Sequence, residues 1–106
     1  MRRGEIYWAN LPAPMGRRPV LIVTRSRALE FLHRITVAPI TTTIRDVRSE
    51  VRLSRRHGLP HASVAGCDSL TTIDRNALDE RPMGRLRRPD LRTLDGALRF
   101  ALGIKF

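Results

Sequence analysis

Residues 19–24 read Pro-Val-Leu-Ile-Val-Thr, a nearly continuous apolar run of β-forming residues. A run of this length without a polar face is typical of a buried strand. The flanking segments Gly4–Asn10 and Ile35–Thr42 are also rich in β-formers, so we predict a strand over each of them. The run therefore predicts a strand in the core of a β-rich domain.

Turns and further strands follow from the same kind of pattern. Leu11–Pro14 contains two prolines and predicts a turn, and Pro39 marks a bulge or an edge position in its strand. We predict a short strand over Glu50–Leu53, where apolar residues flank an arginine. A turn over His57–Pro60 precedes a long strand, which we predict from about Ser63 to Ile73.

Two helices complete the expected fold. Ser26 is placed to cap a short helix over Arg27–Phe31. The second helix ends the chain: Pro89 suits its first turn, Asp90 complements the positive end of its dipole, and Gly103 closes it. Between these signals, apolar residues recur at spacings of three and four, namely Leu91, Leu94, Leu98 and Ala101. Short strands followed by one helix predict a mainly β small barrel or curled sheet.

The 106 residues, 42% of them hydrophobic, fit one globular domain over residues 1–106. The one cysteine, Cys67, excludes an intrachain disulfide and predicts a reducing, cytoplasmic location. The first residues contain no long apolar stretch of the signal-peptide kind, and no run approaches the roughly 18 apolar residues of a membrane span. We therefore expect no membrane association.

Charge narrows the class of partner. Twenty basic residues against ten acidic ones give a net charge of +10, and 19 of the 20 are arginine. Arginine binds phosphate in a bidentate fork and stacks on bases, so this bias favours a nucleic-acid partner. The alternative is a solvated arginine-rich surface of the kind that GC-rich genomes encode. Charge by itself carries no information about catalysis.

Four stretches follow one another in a fixed order along the chain, namely Arg3–Trp8, Arg17–Thr24, Val37–Thr42 and Ser63–Asp68. Together they resemble the MazF/PemK toxin family. Thr72–Asp74 and Ala101–Ile104 match as well, so the resemblance spans nearly the whole chain. Each piece is a weak signal, whereas their order and spacing are specific.

The resemblance implies an SH3-like small barrel of the MazF/CcdB toxin type. It implies a homodimer that cleaves single-stranded RNA sequence-specifically, in mRNA and also in tRNA or rRNA, and so inhibits translation and growth. The family's reaction needs no metal or cofactor and leaves 2′,3′-cyclic phosphate and 5′-hydroxyl ends. An acidic, MazE-like antitoxin is the expected protein partner.

Residue by residue, the family's catalytic arginine falls on Arg18 and its catalytic threonine on Thr41. A guanidinium can fork onto two phosphate oxygens, and because it is a poor base, we assign it charge stabilisation. The threonine hydroxyl can donate to the developing oxyanion. Asp68 matches an aspartate that acts as a general base in some members; alternatively it holds Arg18 through an ion pair. In isolation, Arg18 could equally be a surface arginine and Thr41 an ordinary strand residue.

The predicted RNA contacts are Arg17, Thr42, Arg45, Arg48 and Ser69. Two departures from the family concern this surface. Met15-Gly16 leads directly into Arg17, so the long loop that many members carry there is largely absent. Gly66 stands where some members have a basic residue. Both changes affect RNA preference and the identity of the general acid, and the shorter loop predicts a more open groove that could admit folded RNA.

Other chemistry-bearing residues have competing interpretations. Cys67 is either a small buried residue or a nucleophile, and its alternation with Ala65 along the predicted strand favours burial. His57 and His61 could form an acid–base pair, but they flank a turn, and we expect them, like His33, to meet solvent or the antitoxin. The spacing of His57, His61 and Cys67 does not suit a zinc site, so we predict no metal.

Two rival functions stay open at this point. One is a toxin on the same fold that poisons DNA gyrase by protein contact, which would not need the Arg-Pro-Val and Ile-Thr motifs. The other is an RNA-binding barrel that has lost catalysis, an alternative that Gly66 keeps open. Cleavage of RNA in EDTA, followed by inspection of the product ends, distinguishes all three.

Overall fold

The structure, a computed structural model, describes residues 1–105. Phe106, the last residue of the predicted domain, lies outside the described residues. The strands are β1 (Glu5–Asn10), β2 (Arg17–Ile22), β3 (Arg34–Thr41), β4 (Glu50–Leu53), β5 (Ser63–Gly66), β6 (Thr71–Asp74) and β7 (Gly84–Arg85). Helix α1 spans Arg88–Leu102. Short 3-10 helices lie at Ala28–Glu30, Arg55–His57, Cys67–Ser69 and Arg75–Ala77.

The strands form one curled antiparallel sheet in the order β4-β5-β3-β2-β1-β7, with β6 added beside β3. β3 is the shared element. One of its edges pairs with β2, while the other pairs with β6 over residues 34–37 and with β5 over residues 40–41. The predicted mainly β barrel with a C-terminal helix is confirmed.

The apolar run that predicted a buried strand lies in the middle of the sheet. Leu21 belongs to a core between the sheet and α1, where it packs with Ile6 and Leu94. Val20 and Ile22 face a second core on the opposite side of the sheet. Both faces of β2 are therefore covered over Val20–Ile22, which explains why this half of the strand has no polar alternation.

The predicted long strand from Ser63 to Ile73 is wrong, because the chain breaks into β5, the 3-10 helix Cys67–Ser69 and β6. β5 pairs with β4 and with the end of β3, whereas β6 pairs with the start of β3. Both strands run antiparallel along the same edge of β3, but their registers differ: β3 advances by three residues from Ile40 to Val37, while the paired segment advances by six from Ala65 to Thr71. A continuous strand cannot satisfy both registers. The 3-10 helix is the corner that carries the chain from one half of β3 to the other.

Pro39 is not at an edge, since it faces Val20 of the neighbouring strand β2. It lies between the part of β3 that pairs with β6 and the part that pairs with β5. No strand within residues 1–105 pairs with Pro39 on that second side, so the missing N–H leaves no ladder partner unsatisfied there.

The predicted cap by Ser26 is also wrong. The short helix is the 3-10 turn Ala28–Glu30, its N-cap residue is Arg27, and that residue makes no side-chain cap. The Ser26 hydroxyl instead accepts a hydrogen bond from the Arg3 backbone N–H at 2.9 Å. The serine thus holds the N-terminal segment against the β2–β3 connection.

Helix α1 follows its prediction closely. Proline stands in its first turn, Gly103 ends it in the left-handed conformation, and Leu94 and Ala97 are buried. None of the helices within residues 1–105 is long and apolar enough to cross a membrane.

His57 contradicts the expectation that it meets solvent or a partner, because only 2% of it is exposed. Its Nδ1 accepts the Ser54 N–H at 3.0 Å, and its Nε2 lies 3.2 Å from Asp90 Oδ2. Burial by itself would raise the pKa of Asp90, but hydrogen bonds from Arg87, Arg56 and His57 outweigh it and hold that pKa below its usual value. His57 is a structural residue that ties the turn after β4 to the start of α1.

We expect Leu94→Ala to destabilise the protein by about 2–5 kcal/mol, because Leu94 is completely buried between α1 and the sheet. Leu102→Ala is the matched control: it removes the same atoms from an exposed position of the same helix and should change stability by less than about 0.5 kcal/mol. Urea unfolding followed by circular dichroism measures both. Equal losses would show that α1 does not depend on this contact.

Candidate active site

An open groove of about 650 Å³ lies at the corner between β5 and β6. Its walls come from the turn before β2, the end of β3, the loop before β4 and residues 66–71. The groove is lined by Arg18, Thr41 and Asp68, which are spread between positions 18 and 68 of the sequence. The fold therefore brings the three predicted catalytic residues to one surface.

Arg18 is held at one end and open at the other. Its Nε donates to the Met15 backbone carbonyl at 3.1 Å. The carbonyl belongs to a tight turn, in which Leu11 N–H bonds the Gly16 carbonyl at 3.0 Å. The two Nη groups of Arg18 have no acceptor among the described residues, and they are the pair of donors that forks onto an anion.

Arg17, the adjacent residue, is arranged in the opposite way. Both of its Nη groups are bound by Asp79, at 2.7 and 3.1 Å, and its guanidinium lies over the Trp8 ring, 5.4 Å from the centroid. The bond to Asp79 raises the pKa of Arg17. Arg17 does not line the groove, because successive residues of β2 point to opposite faces. Its predicted RNA contact stays a prediction.

Thr41 ends β3 at the rim of the groove. Its hydroxyl oxygen accepts the backbone N–H of Thr43 at 3.2 Å, which orients the side chain. The hydroxyl proton is left to donate into the groove. Thr43 also lines the groove, whereas Thr42, for which we predicted an RNA contact, is exposed outside it.

Asp68 lies on the 3-10 corner, and its Oδ2 accepts a short hydrogen bond from the hydroxyl of Ser49. Its other oxygen, Oδ1, has no partner among the described residues. Asp68 and Arg18 form no ion pair within the part of the chain that the structure describes, so the alternative that Asp68 anchors Arg18 is wrong for this state. Ser49 is only 2% exposed.

The loop before β4 is folded around the carboxylate of Glu50. That carboxylate accepts the backbone N–H groups of Arg45, Asp46 and Val47, the closest at 2.9 Å. Asp46 adopts a left-handed conformation with φ of 60°, which lets the N–H groups converge on one anion. The groove lining thus contains two cations, Arg18 and Arg45, and two carboxylates, of which Glu50 is engaged by backbone.

The remaining predicted RNA contacts divide between the groove and the surface around it. Arg45 and Ser69 line the groove. Arg48 lies outside it, with its guanidinium over the exposed Phe100 ring, 4.5 Å from the centroid. Gly66 lines the groove too, and a Cβ there would touch only the Pro39 carbonyl, at 3.9 Å. The missing side chain leaves this wall of the groove open.

Cys67 is buried at the base of the same corner. Burial raises the pKa of its thiol to about 11, and the negative charge of Asp68 acts in the same direction. The thiolate is therefore scarce near neutral pH, which argues against the nucleophile interpretation. Within residues 1–105, no group of three His, Cys, Asp or Glu side chains is arranged to hold a metal ion.

The sequence interpretation missed Ser49 and Glu50, which shape the groove without belonging to any recognised motif. Ser49 does stand immediately before the short strand β4 and Glu50 is its first residue, positions where polar side chains can bond to loop backbone. That signal predicts a turn. It does not reveal that the serine reaches Asp68, because the contact joins residues 19 positions apart.

Comparison with known proteins identifies the family of this chain. The family model described as PemK-like, MazF-like toxin of type II toxin–antitoxin system matches residues 2–102. The chain belongs to this family. A curated relative, probable endoribonuclease MazF5 of Mycobacterium tuberculosis, is 39% identical over 94% of this chain and 91% of its own length.

Solved structures place the MazF-like chain in the same fold. The Mycobacterium tuberculosis toxin MazF-mt6 superposes with a TM-score of 0.88 and 36% identity, over 96% of this chain and 99% of that toxin. An endoribonuclease from Mycobacterial species, solved in complex with its cognate antitoxin, gives a TM-score of 0.87 at 24% identity, over 100% of this chain and 98% of its own. At that lower identity the second match supports the fold alone.

We predict that native Cys67 reacts slowly with a thiol reagent at pH 7.5, since its raised pKa keeps the thiol protonated and its burial blocks access. Reaction with 5,5′-dithiobis(2-nitrobenzoate) should become fast only in denaturing urea. A fast reaction of the folded protein would contradict this prediction and would make Cys67 a candidate nucleophile again.

Proposed function

We propose that this MazF-like toxin is a sequence-specific endoribonuclease that cleaves single-stranded RNA, such as mRNA, in the groove lined by Arg18, Thr41 and Asp68. The arrangement of Arg18 carries the proposal: its Nε is fixed by the Met15 carbonyl while both Nη groups stay free. A guanidinium held in this way is preorganised to bind two phosphate oxygens side by side. Cleavage inhibits translation and growth.

The reaction begins on the ribose next to the scissile phosphate. Asp68 takes the proton of the 2′-hydroxyl through its free Oδ1, and the 2′-oxygen attacks the phosphorus. Arg18 and the Thr41 hydroxyl donate to the phosphate oxygens, where negative charge builds up in the transition state. The bond from phosphorus to the 5′-oxygen then breaks, and the departing 5′-oxygen takes a proton from water, which leaves a 2′,3′-cyclic phosphate and a 5′-hydroxyl.

The family assignment favours this activity over the two rivals. A gyrase poison would act through protein contacts and would not require a fixed, unpaired guanidinium beside a hydroxyl and a carboxylate. An RNA-binding barrel without catalysis would not require the carboxylate. Relatives across nearly the full chain carry the name endoribonuclease.

The proposal extends to partners and location. A type II toxin has a cognate antitoxin, and the net charge of +10 suits an acidic, MazE-like segment that lies where the RNA backbone would lie. We also propose a homodimer and a cytoplasmic location, where the RNA substrate is found. The open wall at Gly66 and the short turn before β2 suit substrates that include folded tRNA or rRNA loops.

We expect Arg18→Ala to lower the cleavage rate by about 100-fold or more, because it removes the preorganised donors. Arg18→Lys should recover little of it, since an ammonium cannot form the fork. Arg17→Ala is the matched control, one residue away with the same charge lost, and should change the rate only a few-fold. A fluorogenic RNA assay measures all three. Near-normal activity of Arg18→Lys, or an equal loss in Arg17→Ala, would refute the assigned role.

Cleavage should persist in excess EDTA, because the proposal assigns charge stabilisation and proton transfer to protein side chains. The upstream product should carry a cyclic phosphate, and the downstream one a 5′-hydroxyl that polynucleotide kinase labels directly. A substrate with a single 2′-deoxyribose at the cleavage position should resist cleavage, which isolates the role of the 2′-hydroxyl. A strict magnesium requirement or 5′-phosphate ends would contradict the mechanism.

A further inference from the structure

Ser49 lines the wall of the groove next to Asp68 and has no assigned role. It is 2% exposed, and it precedes β4 at the end of the loop that Glu50 organises. Its side chain makes one hydrogen bond, to Asp68 Oδ2. A buried hydroxyl that donates to one oxygen of a carboxylate, while the other oxygen is unpaired, restricts that carboxylate to one orientation.

A second bond joins the same two segments in the reverse direction. The backbone N–H of Cys67 donates to the Ser49 carbonyl at 2.9 Å. Ser49 therefore contacts the 3-10 corner twice, once through its backbone and once through its side chain. The backbone bond fixes the corner, and the side-chain bond fixes the rotation of the Asp68 carboxylate.

From these contacts we infer that Ser49 is a positioning residue for the cleavage reaction, which orients Asp68 so that Oδ1 faces the 2′-hydroxyl of the substrate. This inference rests on the proposed function, because it requires Asp68 to receive the proton. Ser49 itself touches no substrate. Its hydroxyl occupies Oδ2, which leaves Oδ1 as the oxygen that accepts the proton.

The role predicts an effect on kcat and little on KM. Ser49→Ala leaves the backbone bond to Cys67 but frees the carboxylate to rotate, so kcat should fall about 10- to 100-fold. KM should stay within about two-fold, because Arg18 and Arg45 still bind the RNA backbone. Ser49→Cys keeps nearly the same volume with a weak donor, and should therefore lose activity like the alanine variant.

Ser63→Ala supplies the matched control. Ser63 is also a buried serine with one side-chain hydrogen bond, which it donates to the His61 carbonyl at 2.9 Å, and it does not line the groove. Losing its hydroxyl should leave kcat unchanged. Thermal melting of every variant, with assays well below each midpoint, separates loss of activity from loss of fold.

A double-mutant cycle with Asp68→Asn gives the deciding measurement. If Ser49 acts only by orienting the carboxylate, then Ser49→Ala should have no further effect on kcat in the Asp68→Asn background. A full, additive loss in that background would overturn the inference, as would wild-type kcat in Ser49→Ala or Ser49→Cys. If Asp68→Asn itself cleaves at the wild-type rate, the inference fails together with the role of Asp68. Loss of cleavage in Arg18→Ala would then still support the endoribonuclease.

Discussion

The shared edge of β3 is the constraint on which the structure depends. This strand of eight residues pairs with β2 over residues 37–39 on one side and with two different strands, over residues 34–37 and 40–41, on the other. Because the register relative to β3 shifts between β5 and β6, the extra residues of the chain must be accommodated in a turn between these two strands. The resulting 3-10 corner at Cys67–Ser69 places Asp68 beside the end of β3, and the groove exists because of that turn.

The three proposed catalytic groups are held in the groove in the same way. Each of the three proposed catalytic groups is fixed through one atom and free at another: Arg18 through Nε, Thr41 through its oxygen and Asp68 through Oδ2. The partners are backbone groups or a buried hydroxyl, which do not compete for the phosphate. Preorganised donors of this kind stabilise developing charge without reorganising during the reaction.

The chain has 19 arginines, and the ion pairs and hydrogen bonds of each guanidinium decide whether it is free to bind an anion. Arg17 and Arg18 are neighbours, yet one is saturated by Asp79 and the other presents two unpaired Nη groups. Net charge attracts a polyanion to the whole surface, and it does not select the site of cleavage. In the proposed mechanism, the site of cleavage is selected by the guanidinium that lies in the groove with its Nη donors unpaired.

The sequence by itself determined the elements that depend on local pattern. The apolar run at 19–24 predicted a buried strand, proline and glycine bounded α1, and the ordered motifs identified Arg18, Thr41 and Asp68 as candidates. Local pattern could not show that residues 63–73 bend, because each half of that segment has good strand propensity and only the register of its pairing with β3 changes. For the same reason, the local sequence pattern could not predict the burial of His57 or the bond from Ser49 to Asp68. Both contacts join residues 19 or more positions apart, and only the tertiary fold brings them together.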